Sequence, residues 1–369
     1  MSGSSYEKFF DAHVASYFRS LERAFDTRKI SGTSLAVACY EADLRNWFGV
    51  EFALPLASGS AAVYMALRAL GIGPGDRVAV SALAPIPTIL PILHIGAKPV
   101  FVDVAPGSFF FDIKDLKKVL RQRPKAVLAV ALWGYPVLTW EFLSLIAEQG
   151  LSLIEDSAHA HGTVELGRLS GTIGDIGCFS THENKLLSTG EGGFVLTHER
   201  SFHEAMHSFA HLGYCGGEYI GFNFKLSAPQ AVLGSDRLCR LKDQLSARRA
   251  VAQQIKDSLN IPDFIREVPV AQSSSANFYN LGLIIDAPER RVQDFRVFCH
   301  QSNVPTNAVK YNLKPTYRYP LFTDFSRACP AAEKLAGQVT SLPCLPDFSE
   351  EDIDHVTSVF NRGLKMFLS

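Results

Sequence analysis

CFSTHENKLLSTGEGGFVLT, residues 178–197, decides how the rest of the chain is read. An apolar run ending at Ser180 and Thr181 passes into a polar turn that carries one lysine, Lys185. The chain then returns through Gly190, Gly192 and Gly193 into a second apolar run, Phe194 to Thr197. Two short apolar runs bounding a glycine-bearing polar stretch read as strands joined by a turn. A lysine that forms an imine needs a sheltered site that lowers its pKa and holds it against a carbonyl, and a strand-end turn packed by glycines provides one. Ser180, five residues earlier, is placed to donate its hydroxyl to a phosphate.

Outward from this stretch the same rhythm recurs. RVAVSAL (77–83), KPVFVDV (98–104), AVLAVAL (126–132), LSLIED (151–156), IGCFST (176–181) and GGFVLT (192–197) are apolar runs, each followed by a polar or helical stretch. This is the pattern of an α/β fold with a buried, mostly parallel central sheet flanked by crossover helices. A helix beginning at Ser60 (SAAVYMALRAL) stops at Gly71. Asp236 to Asn260 reads as one charged amphipathic helix that carries the chain out of the large domain. The expected division is residues 1–240 for the large domain and 241–369 for a smaller α+β domain. In the latter, FYNLGLIID reads as a strand, RRVQDFRVFCHQS as a helix, and Ser349 with Asp352 as a capping box.

Composition sets the outer bounds. The 369 residues are 47% hydrophobic and 20% charged, with a net charge of −1, the balance of a globular chain without the basic stripe that holds nucleic acid. A small-molecule partner is expected. The N-terminal MSGSSYEKFFDAHVASYF lacks the basic start and apolar core of a signal peptide. Val78 to Ala97 runs without Lys, Arg, Asp or Glu, but Pro85, Pro87 and Pro91 suit a strand, loop and short helix better than a membrane span. Seven scattered cysteines without a C-x-x-C pair point to reduced thiols in a cytoplasmic protein.

In LSLIEDSAHAHG (151–162) an apolar strand ends in Glu155 and Asp156, at the place where open α/β sheets hold ligands. A carboxylate there could keep a pyridine nitrogen protonated and so make the ring an electron sink. A solvated strand-end aspartate is the plainer alternative. A metal is not expected, because neither an H-x-x-x-H helix nor a cysteine pair accompanies the acid. Ala57-Ser58-Gly59-Ser60-Ala61 opens a helix with small residues, which suits either an anion at the free N–H groups or a simple N-cap.

Together and in this order these stretches resemble the DegT/StrS family of nucleotide-sugar aminotransferases, fold-type I pyridoxal-phosphate enzymes. The likeness lies in SGSAA (58–62), GAKPVFVDV (96–104), EDSAHAHG (155–162), FSTHENK (179–185), GEGG (190–193) and Asn223-Phe224-Lys225, and continues through CPAAEKLAGQVTSLPCLPDFSEEDIDHV near the C-terminus. It spans roughly residues 30 to 369. The resemblance implies pyridoxal 5'-phosphate bound covalently to Lys185, with Asp156 at the pyridine nitrogen, Ala158 against one ring face and His159 beside the ring hydroxyl. It implies that Ser58, Gly59, Ser60 and Ser180 hold the phosphate, and that Asn223 reaches it from the other subunit of a homodimer. Lys310 and Tyr311 stand where the family often has His-Tyr and are candidates for a substrate phosphate or carboxylate.

Transfer of an amino group from glutamate or glutamine to a keto sugar or cyclitol is the implied reaction. A dehydratase or aromatising synthase on the same cofactor is the alternative, as is a non-catalytic regulatory partner that retained the fold. His159 keeps the synthase open while Lys185 counts against a dehydratase, and three departures support the regulatory partner: no aromatic residue in Ser81 to Thr88, no histidine at Ala131, and no acid at Leu138.

Overall fold

The computed structural model describes residues 14–22, 25 and 28–368. The start of the N-terminal stretch discussed above, residues 1–13, lies outside the described residues. All six apolar runs are strands: β2 (Arg77–Ser81), β3 (Lys98–Val102), β4 (Ala126–Val130), β5 (Ser152–Asp156), β8 (Ile176–Ser180) and β9 (Gly193–Thr197). With β1 (Phe52–Leu56) they form a seven-stranded sheet in the order β1-β9-β8-β5-β4-β2-β3. The pairs from β8 through β5, β4 and β2 to β3 are parallel, while β9 runs antiparallel to both its neighbours. β4 lies mid-sheet and is buried along its whole length, as a strand covered on both faces must be.

The uncharged segment from Val78 is β2, a turn, and the helix Ile86–His94, with Pro87 in its first turn and Pro91 inside it. Among the described residues no helix is long and apolar enough to cross a membrane.

The helix expected over 236–260 is two helices, Ala228–Leu238 and Leu241–Ser258. Leu238 at the end of the first helix and Leu241 at the start of the second bury in one apolar cluster. Arg240 at the break pairs with Asp236 at 2.6 Å. The second helix is shared between cores. Leu241 and Leu245 pack with β1 and β9 residues, whereas Val251, Ala252 and Ile255 join a separate cluster around the C-terminal sheet. That sheet has three antiparallel strands, β10 (Ile265–Glu267), β11 (Asn280–Ile285) and β12 (Val339–Pro343), covered by the helices Glu289–Gln301 and Glu350–Gly363. Ser349 and Asp352 make both bonds of the capping box.

The C-terminal segment is pinned to the large sheet by charge as well as by apolar contact. Arg327 meets Asp115 through two nitrogens, each 2.6 Å from an oxygen. The Asp103 carboxylate accepts from the backbone N–H groups of Ala331 and Ala332 at the start of helix Pro330–Gln338. The Thr316 N–H donates to the Ala82 carbonyl at 2.8 Å, laying residues 311–319 across the carboxyl end of β2.

Candidate active site

The carboxyl ends of β2, β4, β5 and β8 open into a cavity of about 550 Å³. Sheets of this kind gather ligands there because each strand end supplies a loop to the same edge. Lys185 and Asp156 line the cavity, with Ser58, Gly59, Ser60, Ala158, His159 and Ser180. The structure therefore brings together these residues from three separate stretches of the sequence.

The lysine turn is closed by its threonines. The Thr189 N–H donates to the Thr181 carbonyl at 2.7 Å, and the two hydroxyls meet at 2.6 Å. Burial lowers the Lys185 pKa to about 8, against the opposing pull of the Asp156 charge, which raises it. Asp156 ends β5, where burial raises its own pKa while the Thr88 hydroxyl at 2.5 Å and the Ala158 N–H at 3.1 Å stabilise the carboxylate.

Three backbones meet at the phosphate candidate. A Cβ on Gly59 would stand 2.7 Å from the Ser180 Cβ, and one on Gly193 would stand 2.6 Å from the Ser58 carbonyl carbon and 2.7 Å from the Gly59 nitrogen. Only glycine lets β8, β9 and the start of helix Gly59–Ala69 approach so closely. Ser58 caps that helix by accepting from the Ala61 N–H at 3.1 Å. The first N–H groups of a helix have no intrahelical acceptor, so those of Gly59 and Ser60 are open to an anion.

His159 is held in one state. The Trp133 N–H points at its Nδ1 at 3.4 Å, which leaves the ring proton on Nε2. Burial, then the charge of Lys185, lowers its pKa well below the usual histidine value, so the ring is neutral.

Asn223 lies exposed and outside this cavity. Of the pair Lys310-Tyr311, only Tyr311 lines it. Lys310 closes the short helix Asn307–Lys310 exposed to solvent, and Lys314, four residues on, lines the cavity instead, its Nζ 4.3 Å from the centre of the Tyr319 ring. Trp133, Tyr279 and Tyr319 are further aromatic walls. Trp133 follows the end of β4 and could have been found from that position. Tyr279 begins the segment leading into β11, far away in sequence, and carries no motif.

The departure at Leu138 is structural. Leu138 is fully buried behind the cavity, and its N–H donates to the carboxylate of Glu165, as does that of Val137. Glu165 sits on β6 (Val164–Glu165), paired with β7 (Arg168–Leu169), and also accepts from the Ser170 hydroxyl at 2.7 Å. Its neighbour Glu155 accepts three backbone N–H groups, from Gly171, Ile173 and Gly174. Burial, then the charge of Glu155, raises the Glu165 pKa to about 7. An unfolded glutamate gives up its proton near pH 4.3, so between about pH 4.3 and pH 7 the folded state holds more protons and stability falls as pH rises. Glu165→Gln removes that titration and keeps an acceptor for Val137 and Leu138. Melting curves across pH 4.5–7.5 are expected to fall less steeply for the variant than for the parent; equal slopes would contradict the assignment.

A buried amine and carboxylate at the strand ends, beside a helix start open to an anion, define an enzyme that does amine chemistry on a carbonyl. The chain belongs to the DegT/DnrJ/EryC1/StrS aminotransferase family, whose model matches residues 16–361. It is 31% identical over 330 residues to the UDP-N-acetyl-3-dehydro-alpha-D-glucosamine 3-aminotransferase of Acidithiobacillus ferrooxidans, covering 88% of this chain and 87% of that one. It is 30% identical over 336 residues to the dTDP-3-amino-3,4,6-trideoxy-alpha-D-glucose transaminase of Micromonospora megalomicea, covering 87% of each. Among solved structures, DesV of S. venezuelae superposes with a TM-score of 0.88 at 26% identity, over 97% of this chain and 96% of that one. The fold is the fold-type I transferase fold, and the enzyme is an aminotransferase.

Proposed function

We propose that the enzyme binds pyridoxal 5'-phosphate and moves an amino group from an amino-acid donor, glutamate or glutamine, to a keto sugar, cyclitol or related ketone. The observation that carries this reading is Lys185, whose burial lowers the pKa of its amine to about 8 against the opposing charge of Asp156, so that the amine is partly neutral at physiological pH. Bound pyridoxal phosphate supplies an aldehyde for that amine and a ring that withdraws electrons from the reacting carbon.

The residues fit the group. The N–H groups of Gly59 and Ser60, with the hydroxyls of Ser58, Ser60 and Ser180, suit its phosphate, and the glycine-lined space between Gly59 and Ser180 admits no side chain that would fill it. Asp156, ionised when opposite a cation, holds a proton on the pyridine nitrogen. The His159 Nε2–H would donate to the ring oxygen, and Ala158 would leave a flat surface for the ring. Lys185 Nζ takes a proton from the reacting carbon and returns it, which its lowered pKa favours near neutral pH. The relatives named for UDP- and dTDP-linked amino sugars support a sugar-type acceptor.

The wall built from Leu83, Ala84, Pro85, Ile86 and Ala131 is apolar and leaves few partners for hydroxyls, which favours an acceptor less hydroxylated than an ordinary hexose. A panel of sugar-nucleotide and cyclitol ketones, offered to protein loaded with pyridoxamine phosphate, tests this. Efficient turnover of a common nucleotide-linked 3-keto or 4-keto hexose would overturn it.

Lys314 is a cation that this cavity offers to a substrate phosphate or carboxylate, in place of Lys310. Lys314→Ala should raise KM for the anionic substrate about tenfold, the size of one charge-assisted hydrogen bond. Lys310→Ala should leave it unchanged. Steady-state kinetics on the two variants decides between them.

The working form is proposed to be a homodimer in the cytoplasm. Asn223, turned away from its own cavity, sits on a segment whose Tyr214, Tyr219, Ile220 and Phe222 are exposed, Ile220 by 82%. So apolar a surface suits burial against a second copy, which supports the reading that Asn223 serves the phosphate of the other subunit. All seven cysteines are free, as in a reducing compartment. Light scattering should give twice the chain mass at micromolar concentration; a monomer that holds the cofactor tightly would contradict it.

A further inference from the structure

We infer that Tyr279 is a positioning residue, one aromatic ring that orients both the Lys185 amine and the His159 imidazole. The inference rests on the reading of Lys185 as the reacting amine. The Tyr279 ring lies parallel to the His159 ring, 13° apart in plane and 4.4 Å between centres. Lys185 Nζ stands 5.0 Å from the same ring centre. Parallel stacking fixes the imidazole plane, and an aromatic face attracts an ammonium ion through its quadrupole.

Asn277 sets the ring in place. Its side-chain N–H₂ donates to the carbonyls of His159 at 2.8 Å and His161 at 3.0 Å, while its side-chain oxygen accepts from the Tyr279 N–H at 2.8 Å. The turn bearing His159 and the segment bearing Tyr279 are thus tied through one fully buried amide. Gly134 makes room for that amide, since a Cβ there would fall 1.8 Å from the Asn277 oxygen. Behind the ring, the buried Arg248 guanidinium lies 5.9 Å from its centre, and its Nε and Nη1 have no hydrogen-bond partner. The ring face adds to the stabilisation that the Asp347 charge gives this buried cation, and so draws the ring toward the helix Leu241–Ser258.

The charged and titratable groups around the amine are Asp156 at the end of β5 and His159 and His161 on the following turn, and those around the Tyr279 ring are Arg248 on the helix and Tyr311 from the C-terminal segment. The experiment uses protein free of cofactor, so that its outcome is independent of what the cavity binds. The Lys185 amine is titrated by NMR on protein carrying ¹³Cε-lysine, with Lys185→Ala assigning the signal, and the His159 tautomer is read from ring ¹⁵N shifts.

Tyr279→Phe keeps the ring face and should leave the Lys185 midpoint and the single Nε2–H tautomer as in the parent. Tyr279→Leu keeps the site apolar but removes the face. It should lower the midpoint by about one pH unit, the effect of losing a desolvated cation–π contact, and give His159 a mixture of tautomers. If the leucine variant does not fold, Tyr279→Met replaces it with the same expectation. A leucine or methionine variant with parental midpoint and tautomer would overturn the inference, as would a phenylalanine variant that shifts as far as leucine.

Discussion

Lys185→Ala yields a folded protein that forms no borohydride-reducible link to pyridoxal phosphate and loses at least about 10³-fold in kcat. The fold survives because the turn around residue 185 is closed by backbone and threonine bonds, and the lysine side chain contributes none of them. The activity does not, because alanine removes both the amine that condenses with an aldehyde and the group that carries the proton. General acid–base transfer alone accounts for about 10² to 10⁴ in rate. Borohydride reduction followed by mass analysis of the tryptic peptide carrying residue 185 reads the link directly. A retained covalent adduct in the alanine variant would place the reacting amine elsewhere.

Asp156→Asn has the second largest expected effect and acts in two ways. The carboxylate is the charge that raises the Lys185 pKa against burial, so its removal lowers the lysine midpoint below about 8. The amine then becomes more neutral at pH 7, which by itself would speed condensation with an aldehyde. The asparagine, however, cannot hold a positive charge on a pyridine nitrogen. Loss of one well-placed electrostatic contact costs about 10² to 10³ in kcat. The expected outcome is therefore a protein that still links the cofactor, at an equal or faster rate, but transfers amino groups about 10²-fold more slowly or worse. Stopped-flow absorbance for the link and steady-state rates for transfer separate the effects; a variant with parental kcat would remove Asp156 from the proposed role.

Much of this was legible in the sequence, for identifiable reasons. Strands buried on both faces are written as continuous apolar runs, and the six runs from Arg77 to Thr197 are strands at the positions read. Lys185, Asp156 and the Ser58–Ser60 turn converge because they follow strand ends or open a helix, and strand ends in this kind of sheet meet at one edge.

What was not legible has equally physical causes. β1 contains Pro55 and forms the sheet edge, where a strand needs neither a long apolar run nor every ladder bond. The antiparallel direction of β9 leaves no trace in hydrophobicity. The break at Cys239 and Arg240 carries no proline or glycine to announce it, so nothing in the local sequence separates the two helices. Lys310 and Lys314 differ by one helical turn, so which of them enters the cavity depends on where the short helix at Asn307 ends. Tyr279 and Asn277 act on a turn more than a hundred residues away, and nothing in their own neighbourhood records it.

The central claim, a working pyridoxal-phosphate aminotransferase, is tested most directly by one spectrum. Purified protein is loaded with pyridoxal phosphate and mixed with glutamate in the absence of any ketone, while the cofactor absorbance is followed. The account predicts stoichiometric conversion of the lysine-linked band to that of pyridoxamine phosphate, with one 2-oxoglutarate released per site and the original band restored when a keto acceptor is added. An unchanged spectrum with glutamate, and equally with glutamine, from protein that carries its cofactor on Lys185 would contradict it.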